Sequence, residues 1–220
     1  MTISSVHFSI GIMVISFSMG FLIYYFITDL IKEEKKNHMD KVLGQLINFV
    51  IFIWIGKILL NITTFIVDPI AILSYPSNSH AFYLAVLFSL VTIVFQWKLG
   101  RIDVLLFLNA FIHIFLSASF VYEFIQITWN GNMYSIGYMG LVALLMIVIV
   151  IIRDLISLYW LNLLIILLWT IGSFILSVRL PIMMVFGFTI VPWFFALIFL
   201  ICLLQIIFWK KKEGAISGGN

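Results

Sequence analysis

Apolar residues run almost without interruption along this chain, broken at intervals by short clusters of charged residues, Asn, Gly and Pro. A helix needs about 20 predominantly apolar residues to cross a bilayer. Runs of that order lie at residues 8–28, 42–66, 80–97, 104–128, 136–152, 156–178 and 188–209. The pattern predicts seven membrane-spanning helices and an all-α fold. The connections carry turn formers: DLIKEEKKNHMDK, VDPIAILSYPSNS, KLGRID, WNGNMYS, Arg153-Asp154 and RLPIMMVF. Within them Asp68-Pro69 and Tyr75-Pro76 read first as turns. Apolar residues continue on both sides of Arg153. An unbroken helix there would be about twice the bilayer thickness, so a tight turn is expected.

Lys and Arg in alternate connections set the orientation. With the N-terminus outside, the cytoplasmic side collects Lys32, Lys35, Lys36, Lys41, Lys98, Arg101, Arg153, Lys210, Lys211 and Lys212. The outer side collects Arg179 alone, and Lys57 stays within a helix. This bias predicts an N-out, C-in polytopic protein. Trp97 and Trp209 then fall at inner helix ends and Trp129 and Trp193 at outer ones, as interfacial anchors do.

Composition agrees: 64% of the 220 residues are hydrophobic and 10% charged, against about 25% charged in soluble domains. One membrane domain over residues 1–212 is expected, followed by a disordered polar tail at 213–220. The net charge of +3 comes from residues beside helix ends and is no nucleic-acid footprint. The single Cys202 excludes an internal disulfide, and no Cys or His spacing predicts a metal site. No cofactor is expected. The first lysine is Lys32, so the first apolar run is expected to be a retained helix. No internal repeat of a transporter kind is visible.

Lys57 lies inside an otherwise apolar helix, where a charge costs about 2.5–3.5 kcal/mol on the insertion scale and calls for a partner or a role. In the predicted topology it sits in the outer half. His80 opens the third span from the outer side, Tyr122 and Glu123 lie near the outer end of the fourth, and Arg179 ends the sixth. Asp68 and Tyr134 fall in outer connections. This set suits an anionic lipid headgroup: Lys57 and Arg179 for a phosphate, His80 or Glu123 for proton transfer. Plainer roles are a Lys57–Glu123 ion pair, an interfacial His80 and a snorkelling Arg179. The inner half offers little polar lining beyond His113, and the Glu33–Lys36 run reads as a solvated face. No Gly-rich phosphate loop, G-x-S-x-G elbow or H-E-x-x-H occurs.

HFSIGIMVISFSMGFLIYYFI, the basic connection and FIWIGKILLNI are similar to the first two helices of the bacterial prolipoprotein diacylglyceryl transferases. VDPIAILSYPSNSHAF resembles their outer loop, which begins with Asp-Pro and ends in His-Gly-Gly. The seven-helix layout is also alike, and the motif resemblance covers residues 7–85. It implies a catalytic histidine at His80 and a substrate contact at Lys57, where the family has Gly-Arg for Gly56-Lys57. Ala81 and Phe82 replace the two glycines. The family's Gly-Arg-x-Gly-Asn-Phe-x-Asn signature falls near Ser117–Glu123, without its arginine or asparagine. Ser173 and Ser177 stand at the arginine and glutamate of a later segment, with Arg179 close by.

The resemblance implies a transferase that moves a diacylglyceryl group from phosphatidylglycerol to the cysteine of a prolipoprotein signal peptide, with Lys57, Arg179, Glu123 and Tyr122 as substrate-binding residues. Such a protein belongs in a bacterial plasma membrane, which the Ile, Phe, Lys and Asn bias also fits. Two other readings stand beside it. One is a non-catalytic paralogue serving as a membrane scaffold or partner subunit. The other is a small-solute carrier in which Lys57, Glu123 and His113 line a path.

Overall fold

A computed structural model describes residues 3–69, 72 and 79–217, with side chains between 10 and 206 of those ranges. The Tyr75-Pro76 turn and the Trp209 anchor's side chain lie outside the described residues. The described chain is almost wholly helical: α1 (Ile3–Ile27), α2 (Lys32–Leu60), α3 (Ile62–Val67), α4 (Ser79–Lys98), α5 (Val104–Asn130), α6 (Ser135–Ile152), α7 (Leu158–Arg179), the hairpin β1 (Met184–Val185) and β2 (Phe188–Thr189), and α8 (Pro192–Ser217). Among the described residues, six helices (α1, α2, α4, α5, α6 and α7) are long and apolar enough to cross a membrane. The apolar part of α8, Pro192–Ile206, is shorter.

Several boundaries differ from the sequence pattern, among them the seventh span, whose helix starts at Pro192 and not at 188 because Phe188–Thr189 form a strand. Most of DLIKEEKKNHMDK is helix, because α2 begins at Lys32, with Glu33 and Glu34 in its first turn where acidic groups suit the helix dipole. The same helix stops at Leu60: Asn61 leaves the helical region at φ −132°, and its side-chain amide donates to the Lys57 carbonyl oxygen at 2.9 Å. The segment RLPIMMVF holds a strand where a plain connection was expected. At the far end α8 continues through Ser217, so the first residues of the expected tail remain helical. The tight turn after Ile152 is present, with Arg153 and Asp154 paired at 3.6 Å.

The chain divides into two compact units, residues 1–122 with 184–189, and residues 123–183 with 190–220. In the first, α2 and α4 pack as the most extensive helix pair. Tyr24, Val42, Ile102, Phe107, Ala110 and Ile114 form a buried cluster with Phe17, Phe21, Met39, Leu46, Ile93 and Phe111 around it. In lipid, close packing and interhelical hydrogen bonds hold helices together, since the surroundings are as apolar as the side chains. Gly20 lets α1 approach α5 so closely that a Cβ there would stand 2.7 Å from the Ile114 carbonyl oxygen. In the second unit α7 packs against α6 and α8, and Gly172 of α7 leaves room only for Leu141.

The hairpin belongs to the first unit. Its register pairs Met184 with Thr189 and Val185 with Phe188, leaving Phe186-Gly187 as a two-residue turn. Both turn residues have positive φ, 50° and 80°, as the right-handed strand twist demands of a type I′ turn. Glycine takes this conformation freely. Phenylalanine does so at a cost, offset here by ring packing on Phe17 (4.8 Å between centroids), Tyr122 (5.3 Å) and Phe115 (5.7 Å).

Candidate functional site

Two polar regions stand at opposite ends of the α2–α4 pair. The first surrounds the C-terminal end of α2. Gly56, buried, lies against α4, and a Cβ on it would be 3.1 Å from the Ala81 carbonyl oxygen. Lys57 and His80 flank these two residues in sequence, so the helix contact places both at one level of the pair. Lys57 is half-buried and His80 exposed, its ring edge-on to Tyr83 at 6.4 Å. Ser79 donates its hydroxyl to the Thr189 carbonyl oxygen at 2.6 Å, and Phe82 packs on Phe188 at 5.0 Å. The hairpin therefore anchors the start of the helix that carries His80. Tyr122 is buried beneath the same hairpin, against Phe186.

The remaining expected site residues belong to the second unit. Glu123 is buried, and the Ser135 side chain hydrogen-bonds to its carboxyl. Arg179 is exposed in the last turn of α7, and Tyr134 is exposed before α6.

The segments around Ser117 and Ser173 serve in helix packing. Ser117, Ala118 and Ser119 are buried, and the Ala118 Cβ would lie 3.0 Å from a Cβ on Gly20. An arginine has no space in that contact. Ser173 is fully buried beside Gly172, and Ser177 donates to the Phe174 carbonyl oxygen at 2.7 Å.

The second polar region lies at the other, lysine-rich end of the α2–α4 pair, where the sequence reading expected little. Tyr24 of α1 and His38 of α2 are buried and joined through the Tyr24 hydroxyl and His38 Nδ1 at 3.2 Å. The edge of Tyr24 faces His113 at 6.2 Å, and the His113 Nδ1–H donates to the Asn109 carbonyl oxygen at 2.8 Å. Further along, Gln45 donates to Gln96 at 2.9 Å, with the Thr92 hydroxyl 3.3 Å from the Gln45 side-chain oxygen. His113 is thus one of several polar groups there. The missed residues Glu34, Asn37, His38 and Lys41 stand at i, i+3, i+4 and i+7, one face of a helix. That spacing was visible in the sequence once the segment was taken as helical.

No family model matches this chain. Neither a curated protein nor a solved structure matches it either. Among the described residues no group of three or more His, Cys, Asp or Glu side chains is placed to hold a metal ion.

Proposed function

We propose that this chain is a seven-span protein of the bacterial plasma membrane, N-terminus outside and C-terminus inside, with α8 as the seventh span. In this reading it resembles the diacylglyceryl transferases and holds an anionic phospholipid headgroup, that of phosphatidylglycerol, in its outer half. Lys57 faces the lipid phosphate as a point charge. His80 stands at the same level as the base that would take the proton from a lipoprotein cysteine, whose sulfur bonds to the diacylglyceryl carbon as the C–O bond breaks and glycerol phosphate leaves. The resemblance also implies substrate contacts for Arg179, Glu123 and Tyr122, of which Tyr122 alone belongs to the same unit as Lys57 and His80.

One observation carries the reading: the Gly56–Ala81 contact, which brings Lys57 in the last turn of α2 and the histidine at the head of α4 to the same level. The strong Lys and Arg bias supports the orientation.

A second reading, a non-catalytic lipid-holding paralogue acting as a scaffold or partner subunit, is favoured by a different observation. The segments aligned with the family's arginines are filled by the close packing around Gly20 and Gly172.

Native mass spectrometry of the gently solubilised protein tests both. Wild type, Lys57→Ala and His80→Ala are compared after adding phosphatidylglycerol and a lipobox peptide. Phosphatidylglycerol retained by wild type and lost from Lys57→Ala supports the site. A peptide mass increase of one diacylglyceryl group, absent with His80→Ala, makes it a transferase. Retained lipid with an unmodified peptide supports the scaffold reading, and equal lipid retention by Lys57→Ala overturns the proposed site.

A further inference from the structure

At the lysine-rich end of the first unit a cleft of about 290 Å³ opens between the N-terminal half of α2 and the start of α5. Glu34, Asn37, His38 and Lys41 line it from α2, and Asp103, Leu106 and Phe107 from the other side. The volume sits at the low end of small-molecule sites and matches a headgroup better than a large solute.

His38 is the centre of the cleft's chemistry. It is more than nine-tenths buried, yet it lines the cavity. The Tyr24 hydroxyl meets His38 Nδ1 at 3.2 Å. With that hydroxyl donating, the neutral ring carries its hydrogen on Nε2. Nδ1 is engaged by Tyr24, which leaves the Nε2 edge of His38 to serve whatever enters the cleft.

The charges around the cavity restrict the ligand. Lys41 is positive, and Glu34 and Asp103 are negative. Asp103 spends one carboxylate oxygen on the backbone N–H groups of Leu105 and Leu106, at 2.9 and 3.1 Å, which leaves the other available. A plain anion would meet two carboxylates, and a plain cation would meet Lys41. A ligand carrying both signs satisfies all three. Leu106 and Phe107 give it an apolar wall.

We propose that this cleft binds a zwitterion made of a phosphate and a primary ammonium, of the ethanolamine phosphate class. The phosphate accepts from Lys41 and His38 Nε2–H, and the ammonium donates to Glu34 and the free oxygen of Asp103. The source is either a phospholipid headgroup of the adjoining leaflet or the free soluble compound. This site is separate from the one at Lys57 and stands or falls without it.

The test uses the full chain with ¹⁵N-labelled histidine in uncharged maltoside micelles, the His38 Nε2 resonance being assigned with His38→Gln. Short-chain phosphatidylethanolamine, short-chain phosphatidylglycerol and free O-phosphoethanolamine are titrated in turn. The expected result is a saturable Nε2 shift with an ethanolamine ligand, and the lipid and free compound compared show which source is held. Lys41→Ala and Glu34→Gln should each weaken it by about tenfold, the worth of one charge-assisted hydrogen bond, and Lys41→Arg should largely restore it. The Nε2 resonance itself reports that each variant is folded. A shift of equal strength with phosphatidylglycerol, no shift with any ligand, or unchanged affinity in both variants overturns the proposal.

Discussion

Gln45 of α2 donates its side-chain amide to the Gln96 side-chain oxygen in the last turn of α4 at 2.9 Å. The Thr92 hydroxyl, which donates to the Ser89 carbonyl oxygen at 2.8 Å, lies 3.3 Å from the Gln45 side-chain oxygen. Each amide has its partner on the facing helix, so the pair fixes the register of α2 against α4. The register set there is the one that brings Gly56 to Ala81 at the other end. Interhelical hydrogen bonds of this kind are worth about 0.6 kcal/mol on average in membrane proteins, up to about 1.7. Gln45→Ala and Gln96→Ala are each expected to destabilise by amounts in that range. A double-mutant cycle, read by unfolding in mixed micelles, should show that the losses do not add, because both variants remove the same bond.

Glycines in α1 separate packing from propensity. A Cβ on Gly20 would meet the Ile114 backbone oxygen at 2.7 Å, whereas one on Gly11 meets nothing within 4 Å. Backbone cannot swing aside as a side chain does, so Gly20→Ala should destabilise by about 1–3 kcal/mol. Gly11→Ala should be neutral or slightly stabilising, since alanine is the better helix former. Equal effects of the two in the same unfolding assay would contradict the close α1–α5 approach.

The hairpin turn gives a third test. Gly187 has φ +80°, and a Cβ there would stand 3.0 Å from the Tyr122 hydroxyl. Gly187→Ala therefore combines a left-handed backbone with a tight contact and should cost at least about 1–2 kcal/mol. Phe186→Ala removes the ring that packs between Phe17 and Tyr122 and should cost about 3 kcal/mol. Faster hydrogen exchange at the start of α4 should accompany either change, because Ser79 is tied to Thr189. Protection that stays at the wild-type level would show that the hairpin does not hold that helix end.

Lipid retention at the site proposed around Lys57 should depend on charge and on helix spacing independently. Lys57→Arg is expected to keep phosphatidylglycerol and Lys57→Gln to lose it, since only the first keeps a cation for the phosphate. Gly56→Val leaves both charges in place but forces α2 away from the Ala81 backbone. Its lipid retention in native mass spectrometry should fall several-fold, by roughly 1 kcal/mol or more on the usual affinity scale. Wild-type retention by Gly56→Val would mean that Lys57 and His80 do not act at one level.

Much of the architecture was legible before any coordinates. The span limits at Ser79–Lys98, Val104–Asn130 and Ser135–Ile152 follow the apolar runs within two residues, because a bilayer imposes length directly on sequence. Charge clustering misled at the start of α2. Glu33–Lys36 reads as a polar connection by composition, yet these residues are good helix formers and simply extend the helix out of the apolar zone. The hairpin was hidden for another reason. Phe186 at positive φ contradicts its own preference, and a local preference that tertiary packing overrides leaves no trace in sequence.

The sequence by itself determined a multi-pass helical membrane protein, the limits of most of its spans, the strong charge asymmetry and the oddity of Lys57. Hydrophobic length and charge placement are properties of consecutive residues, so they can be read along the chain. The tertiary structure alone decided that Gly56 meets Ala81, that Tyr24 orients His38, and that a phenylalanine turn covers Tyr122. Each of these depends on which helix faces which at what rotation. In an apolar solvent that choice rests on a few small residues and paired polar groups, whose partners lie far away in sequence.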